Sequence, residues 1–228
     1  MKFRFSLIRI VFFFCLTTQQ WGQTDHLAPD LETQLQNQGL VNIHSLAPDI
    51  LVDLKYSTLD NFLNADTYGD LENCYLQPKA AKMLAAAQQT LKKSHPELSL
   101  LVYDGARPRS IQRKMWALVY DTPSQDYVAN PESGSVHNYG SAVDLTIATN
   151  EGIPLDMGTA FDYFGKLAQP RHEQQFLNEG ELSTKQIENR QLLRKVMEEA
   201  GFSPISIEWW HFNAVSVKEA RATYQIVE

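Results

Sequence analysis

The sequence predicts an α+β fold, a mainly antiparallel central sheet flanked by helices, in a single domain covering residues 23–228. Three observations carry this. Apolar runs of strand length occur at Ile50 to Tyr56, Leu98 to Asp104, Ala142 to Ala148 and Ile207 to Phe212. Between them lie segments with helical periodicity, but without the regular strand–helix alternation of a parallel sheet. Hydrophobic residues make up 43% of the 228 and charged residues 21%, enough apolar material for a packed core. A disordered polymer, a collagen and a disulfide-rich miniprotein are excluded.

The first 22 residues read as an export signal. Lys2, Arg4 and Arg9 form a positive front, Ile10 to Leu16 is a short apolar block, and a more polar stretch runs to Gly22. The alternative is a buried N-terminal strand. Removing this segment takes the formal charge from −7 to about −10, since it holds three bases and no acid. The mature protein is expected to begin near Gln23 and to be exported, to the periplasm. A lipoprotein is disfavoured because Phe14 precedes Cys15. No apolar stretch reaches the roughly 18 residues of a spanning helix, so no stable membrane insertion is expected after signal removal. An acidic chain without a Lys/Arg run is a poor nucleic-acid binder. Cys74 would be the mature chain's one thiol and reads as a small packing residue.

Ile50 to Tyr56 alternates like a strand. Pro78 is suited to the first position of a helix, whose apolar face is Ala80, Met83, Leu84, Ala87 and Leu91. Leu98 to Asp104 is a strand, followed by a turn at Gly105–Pro108 and a helix through Met115, Trp116 and Leu118. Tyr120 to Ser135 is a polar loop, and Ala142 to Ala148 a half-buried strand. Ser183 and Gln186 form a capping box before a helix bearing Leu193, Val196, Met197 and Ala200, which Gly201 ends. Ile207 to Phe212 is the last strand.

Three motifs carry chemistry. His137 and Asp144 are seven apart in SVHNYGSAVD, a spacing that suits a loop running into a strand, with Gly140 letting the chain fold back. Imidazole and carboxylate are both first-row metal ligands, and a carboxylate on a half-buried strand needs a partner. In Glu208-Trp-Trp-His211 the two polar residues would point to opposite faces of a strand, and reach one site only near a bulge or strand end. Together the motifs offer His137, Asp144 and His211 as three ligands with Glu208 to spare, the pattern of an open catalytic zinc site. Third, Arg107 in YDGARPR follows a strand and a glycine turn. It would either stabilise an oxyanion or pair structurally with Asp104. Arg109 reads as solvated. His26 and His44 lack partners at ligand spacing, His95 follows a helix end, and His172-Glu173 lies in a polar stretch that reads as a solvated loop; none reads as a ligand.

The set resembles the zinc D-Ala-D-Ala dipeptidases of the VanX type, within the wider group of peptidoglycan D,D-peptidases. The wider group shares SxHxxGxAxD with a second His near the C-terminus. The dipeptidase branch adds patterns matched by Asp104–Pro108, Glu208–His211 and Lys55–Phe62, and a further match is Met157 to Asp162. The resemblance runs from about Leu40 to Phe212. It implies one Zn2+ per chain, in a cleft on the sheet, on His137, Asp144 and His211. It implies Glu208 as general base and Arg107 as the transition-state arginine. Tyr56, Ser135 and Asp162 fall on groups associated with dipeptide recognition. Asp162 would pair with the substrate ammonium, Tyr56 would bond the same amine, and Ser135 would receive the terminal carboxylate.

Two departures fall beside the metal ligand. Val136 replaces the usual Gly, and Asn138-Tyr139 replaces a Ser-Arg pair, so a reshaped pocket is expected. Export is a third, since the resistance enzymes work in the cytoplasm. The expected activity is hydrolysis of free D,D-dipeptides. The alternatives are a D,D-carboxypeptidase acting on longer stem peptides and a non-catalytic zinc-containing binding module. Glu208 and Arg107 argue against the latter, which needs neither.

Overall fold

The computed structural model describes residues 30–228. The export-signal segment, the expected start near Gln23, Cys15 and His26 lie outside the described residues.

Helix α1 (Leu31–Asn37) opens on Asp30, whose carboxylate accepts from the Thr33 amide at 2.7 Å. Strands β1 (Val41–Asn42) and β3 (Tyr75–Leu76) form a small antiparallel pair. The central sheet holds β2 (Leu51–Val52), β4 (Leu98–Asp104), β5 (Ala142–Thr149), β6 (Ser203–Pro204) and β7 (His211–Asn213), in the order β2-β4-β5-β7-β6. Among the described residues only β2 and β4 run parallel; the other pairs are antiparallel. The helices are completed by α2 (Pro78–Ser94), α3 (Arg109–Val119), α4 (Glu173–Glu179), α5 (Thr184–Glu199) and α6 (Val217–Thr223). The α+β, mostly antiparallel expectation therefore holds, with one parallel pair at the β2 edge.

Helices α2 and α5 cover one face of the sheet. Pro78 starts α2, and Ala80, Leu84, Ala87 and Leu91 are buried as the periodicity predicts, with Met83 half-buried. Gln88 is buried on the same face. Its side chain accepts from the Leu100 amide at 2.9 Å and donates to Asp49 Oδ2 at 2.9 Å, so no polar atom is left stranded. Helix α5 has the expected capping box: the Ser183 amide donates to Gln186 Oε1 at 2.8 Å, and the Gln186 amide to Ser183 Oγ at 3.2 Å. Leu193, Val196 and Met197 face the core, with Leu100, Val102, Val143, Leu145 and Ile147 of the sheet.

The opposite face makes the site. Alternation along β5 turns Asp144, Thr146 and Ala148 away from α2 and α5. Strand β5 is buried on both faces, not half-buried as expected, because Phe161 packs on its outer side against Leu101, Tyr103 and Ala148. A register shift in β4 between Val102 and Asp104 sets Asp104 opposite Asp144, and β7 sets His211 opposite Asp144 on its other side.

Two strand assignments change. The run from Ile50 to Tyr56 is strand only over Leu51–Val52, and Tyr56 sits in a short 3-10 turn, Lys55–Ser57. The run from Ile207 to Phe212 becomes strand only at His211. Residues 205–210 bend instead, which resolves the difficulty of the Glu208–His211 spacing: a bend lets residues three apart face one side.

Candidate metal centre and active site

His137 rides on a 3-10 turn, Val136–Tyr139. Ser135 caps it: the His137 amide donates to Ser135 Oγ at 3.3 Å, and Asn138 Oδ1 accepts from the Ser135 amide at 2.7 Å. The turn ends on Gly140 in the left-handed region (φ +62), where a Cβ would also lie 2.6 Å from Leu40 Cδ2. Glycine is favoured there on both counts, and the chain turns straight into β5 and Asp144.

The structure brings the three sequence-predicted ligands together. Asp144 Oδ1 lies 3.2 Å from His137 Nε2 and 3.0 Å from His211 Nδ1, and those two nitrogens are 3.1 Å apart. The proton inventory shows what this cluster wants. His137 Nδ1 lies 2.8 Å from the Gly105 carbonyl, so that nitrogen carries the proton and Nε2 presents a lone pair. His211 Nε2 lies 3.0 Å from Asn213 Oδ1, so Nδ1 likewise presents a lone pair. Two lone pairs and a carboxylate oxygen converge on one point. Such a set repels itself unless a cation sits at the centre. Its edges are close to the roughly 3.3 Å expected between neighbouring ligands of a tetrahedral zinc. The residues could hold a metal ion and fit one chemically. Burial alone would raise the Asp144 carboxyl; donors or positive charge on the His137 and His211 side hold it far below the usual range, and a cation bound between their lone pairs would do the same.

Glu208 stands just outside this set. Its carboxylate is 3.9 Å from His211 Nδ1, beyond hydrogen-bond distance, and lines the cleft. Burial pushes it up to about 8, countered by His211 and reinforced by the negative charges of Asp144 and Asp162. A divalent cation on the three ligands would draw it down again.

Arg107 makes the pairing with Asp104 and also lines the cleft. Its Nε and Nη2 donate to Asp104 Oδ2 at 2.8 and 2.5 Å, Nη1 donates to Gln112 Oε1 at 3.0 Å, and Nη2 reaches Asp144 Oδ2 at 3.5 Å. Its guanidinium lies 5.3 Å from the centre of the Tyr56 ring. Burial works against its charge, yet Asp104 more than compensates and keeps it ionised. Arg109, read as solvated, pairs with Glu228.

Tyr56 donates to Asp162 Oδ2 at 2.9 Å, so these two predicted recognition residues are already joined. Asp162 sits in the left-handed region (φ +59), uncommon for a residue with a Cβ. Burial pushes its carboxyl up to about 8, opposed by the Tyr56 hydrogen bond. Ser135, Tyr56, Asp162, Arg107, Glu208 and the three ligand residues line one cleft of about 240 Å³.

The departures from the family pattern divide. Val136 lines the cleft, whereas Asn138 and Tyr139 do not. Asn138 acts from behind the cleft, its side-chain amide donating to the Arg107 carbonyl at 2.8 Å. Supporting residues the sequence did not single out include Tyr68, which donates to Asp104 Oδ1 at 2.6 Å, and Gln112. Both contacts cross large gaps in sequence or depend on a helix register, and carry no local signal. His172-Glu173 was expected in a solvated loop, yet Glu173 begins α4 and is buried beside Arg190.

Comparison with known proteins agrees with this geometry. Residues 36–226 match the peptidase M15 family, described as D-ala-D-ala dipeptidase. A D-alanyl-D-alanine dipeptidase of Escherichia coli (strain K12) is 34% identical over 173 residues, 76% of this chain and 83% of the relative. A D-alanyl-D-alanine dipeptidase of Enterococcus faecalis is 28% identical over 193 residues, covering 78% and 92%. One of Enterococcus faecium is 29% identical over 197 residues, covering 76% and 90%. With the ligand set assembled and the match running through nearly all the described residues, the chain belongs to the M15 family of D-Ala-D-Ala dipeptidases, which are zinc metallopeptidases.

Proposed function

We propose that the protein hydrolyses free D-alanyl-D-alanine with one zinc ion per chain on His137, Asp144 and His211. The observation that carries this is the convergence of three unprotonated ligand atoms beside a carboxylate, Glu208, that is not one of them. The substrate follows the names of the relatives and is consistent with the size of the cleft, which is small beside the roughly 300–1,000 Å³ of drug-sized sites.

A zinc ion supplies Lewis acidity that acidifies water and polarises a carbonyl. The protein's own groups do the rest. Glu208 takes the proton from the attacking water and passes it to the leaving amine. Arg107 faces the oxygen that gains negative charge; its donors are committed to Asp104, Gln112 and Asp144 save one Nη1–H, which is left for that oxygen. Asp162 receives the substrate ammonium with Tyr56 beside it, and Ser135 receives the terminal carboxylate. An N-acylated substrate brings no positive charge, so Asp162 stays unpaired and the longer peptide is rejected.

The decisive experiment is turnover of D-Ala-D-Ala with and without chelator, and after zinc is restored. Activity that survives metal removal rejects the reading. A kcat/KM ratio near one for D-Ala-D-Ala against its N-acetyl form would move the protein to the carboxypeptidase alternative. Metal binding without any turnover would make it a binding module. The charged front and apolar block before Gly22 support export with a mature end near Gln23. N-terminal sequencing from the native host tests it, and an intact Met1 in a cytosolic fraction counts against it.

A further inference from the structure

The chain between Met157 and Leu167 presents Asp162 to the cleft, and something must hold its left-handed backbone in place. Within it the backbone bonds are short-range, such as Gly165 to the Tyr163 carbonyl at 2.9 Å. Its two ends, however, meet one side chain. Arg190 on α5 is 1% exposed. Its Nε donates to the Met157 carbonyl at 2.7 Å and its Nη2 to the Leu167 carbonyl at 3.1 Å. The third nitrogen, Nη1, is 3.5 Å from Glu173 Oε1, and both of these buried atoms lack a hydrogen bond. A buried charge is expensive, and the good hydrogen bonds here go to the loop, not to the counter-ion. The arginine's rigid fork is suited to bridging two carbonyls at fixed separation, which a lysine ammonium is not. Neighbouring side chains reinforce the same anchor: Asn189 donates to the Asp156 carbonyl at 2.8 Å and Gln186 to Asp156 Oδ2 at 2.8 Å.

We propose that Arg190 is a positioning residue for substrate selection: by stapling the two ends of the 157–167 loop it fixes Asp162 where a substrate ammonium binds. It touches neither substrate nor metal ligands. The proposal rests on the assignment of Asp162 to the ammonium made above.

The test compares Arg190→Lys with wild-type holoenzyme. The expected result is a rise of about 10-fold or more in KM for D-Ala-D-Ala, the size usual for loss of a supporting contact. The effect on kcat should be smaller, zinc content unchanged, and cleavage of N-acetyl-D-Ala-D-Ala no weaker than before. Hydrogen exchange of the amides of residues 158–166 should quicken. If Arg190→Lys fails to fold, Arg190→Met is the second variant, since Glu173 keeps Arg194, which donates to its Oε2 at 2.8 Å; the same changes are expected. Unchanged KM and unchanged exchange in either folded variant overturn the staple. Asp162→Asn keeps the two ideas apart. If it leaves the preference for the free amine intact, the ammonium assignment fails. If it abolishes the preference while the Arg190 variants do not, only the staple fails.

Discussion

The ligand set and the Asp162 loop face one cleft, but the chain holds them by different means. His137, Asp144 and His211 are fixed by backbone: a capped turn leads into β5, and the β5–β7 register sets Asp144 opposite His211. Asp162 is fixed by side chains from elsewhere. Arg190 and Asn189 arrive from α5, Tyr56 from the turn after β2, and the Trp209 indole donates to Thr159 Oγ1 at 2.8 Å. Register is a property of the whole sheet and resists single substitutions. A loop held by a few long side chains can be retuned one residue at a time. The first arrangement suits chemistry that must stay constant, and the second suits selectivity that can change.

The largest effects should come from breaking the register-held region. Glu208→Ala is expected to keep zinc while turnover falls by about 100- to 10,000-fold, the range for a lost acid–base group. His137→Ala should lose both metal and activity. Metal analysis beside kcat separates the two, and an empty site in folded Glu208→Ala would make Glu208 a ligand. Next comes Arg107→Lys, which keeps a charge but not the fork that bonds Asp104 and Gln112. A loss on the order of 100-fold in kcat is expected. An unchanged kcat would leave Arg107 a purely structural partner of Asp104.

This division also explains what was legible beforehand. His137, Gly140 and Asp144 lie within eight residues, and their turn-into-strand geometry follows from a glycine and an alternating apolar run. Helices α2 and α5 were legible for the same reason, since Pro78 and the Ser183–Gln186 box announce their starts. The bend at 205–210 was not, because Trp209 and Trp210 read equally well as strand residues; only packing shows that the Trp209 indole reaches Thr159. Arg190 gave no signal at all. In the sequence it is one more base on a polar helix, and its role depends on carbonyls of Met157 and Leu167, more than twenty residues away.

On the side-chain-held region, Asp162→Asn should reduce the preference for the free dipeptide over its N-acetyl form by roughly 10-fold, as expected for a polar contact no longer made. Zinc content should not change. A preference that persists would place the ammonium elsewhere in the cleft.

The last effect concerns stability rather than activity, and it has the opposite sign. Burial pushes the Asp162 carboxyl from 3.8 up to about 8. Between those values the folded protein keeps a proton that the unfolded chain has released. Stability therefore falls as pH rises from about 4 towards 8, and levels beyond. Asparagine has no proton to lose, and its amide oxygen can still accept from Tyr56. Asp162→Asn should thus unfold at a higher temperature than wild type, with the gap widening across that pH window. Each tenfold change in acidity is worth about 1.4 kcal/mol, and for a chain of this size about 1 kcal/mol moves Tm by roughly 2–4 °C. The comparison belongs on chelator-treated protein, since a bound cation would itself lower the carboxyl. A variant less stable than wild type at pH 8 would show that Asp162 gains more from its partners than burial costs it. A variant that is more stable but less selective would show that the protein gives up stability to keep an ionisable group where the substrate amine arrives.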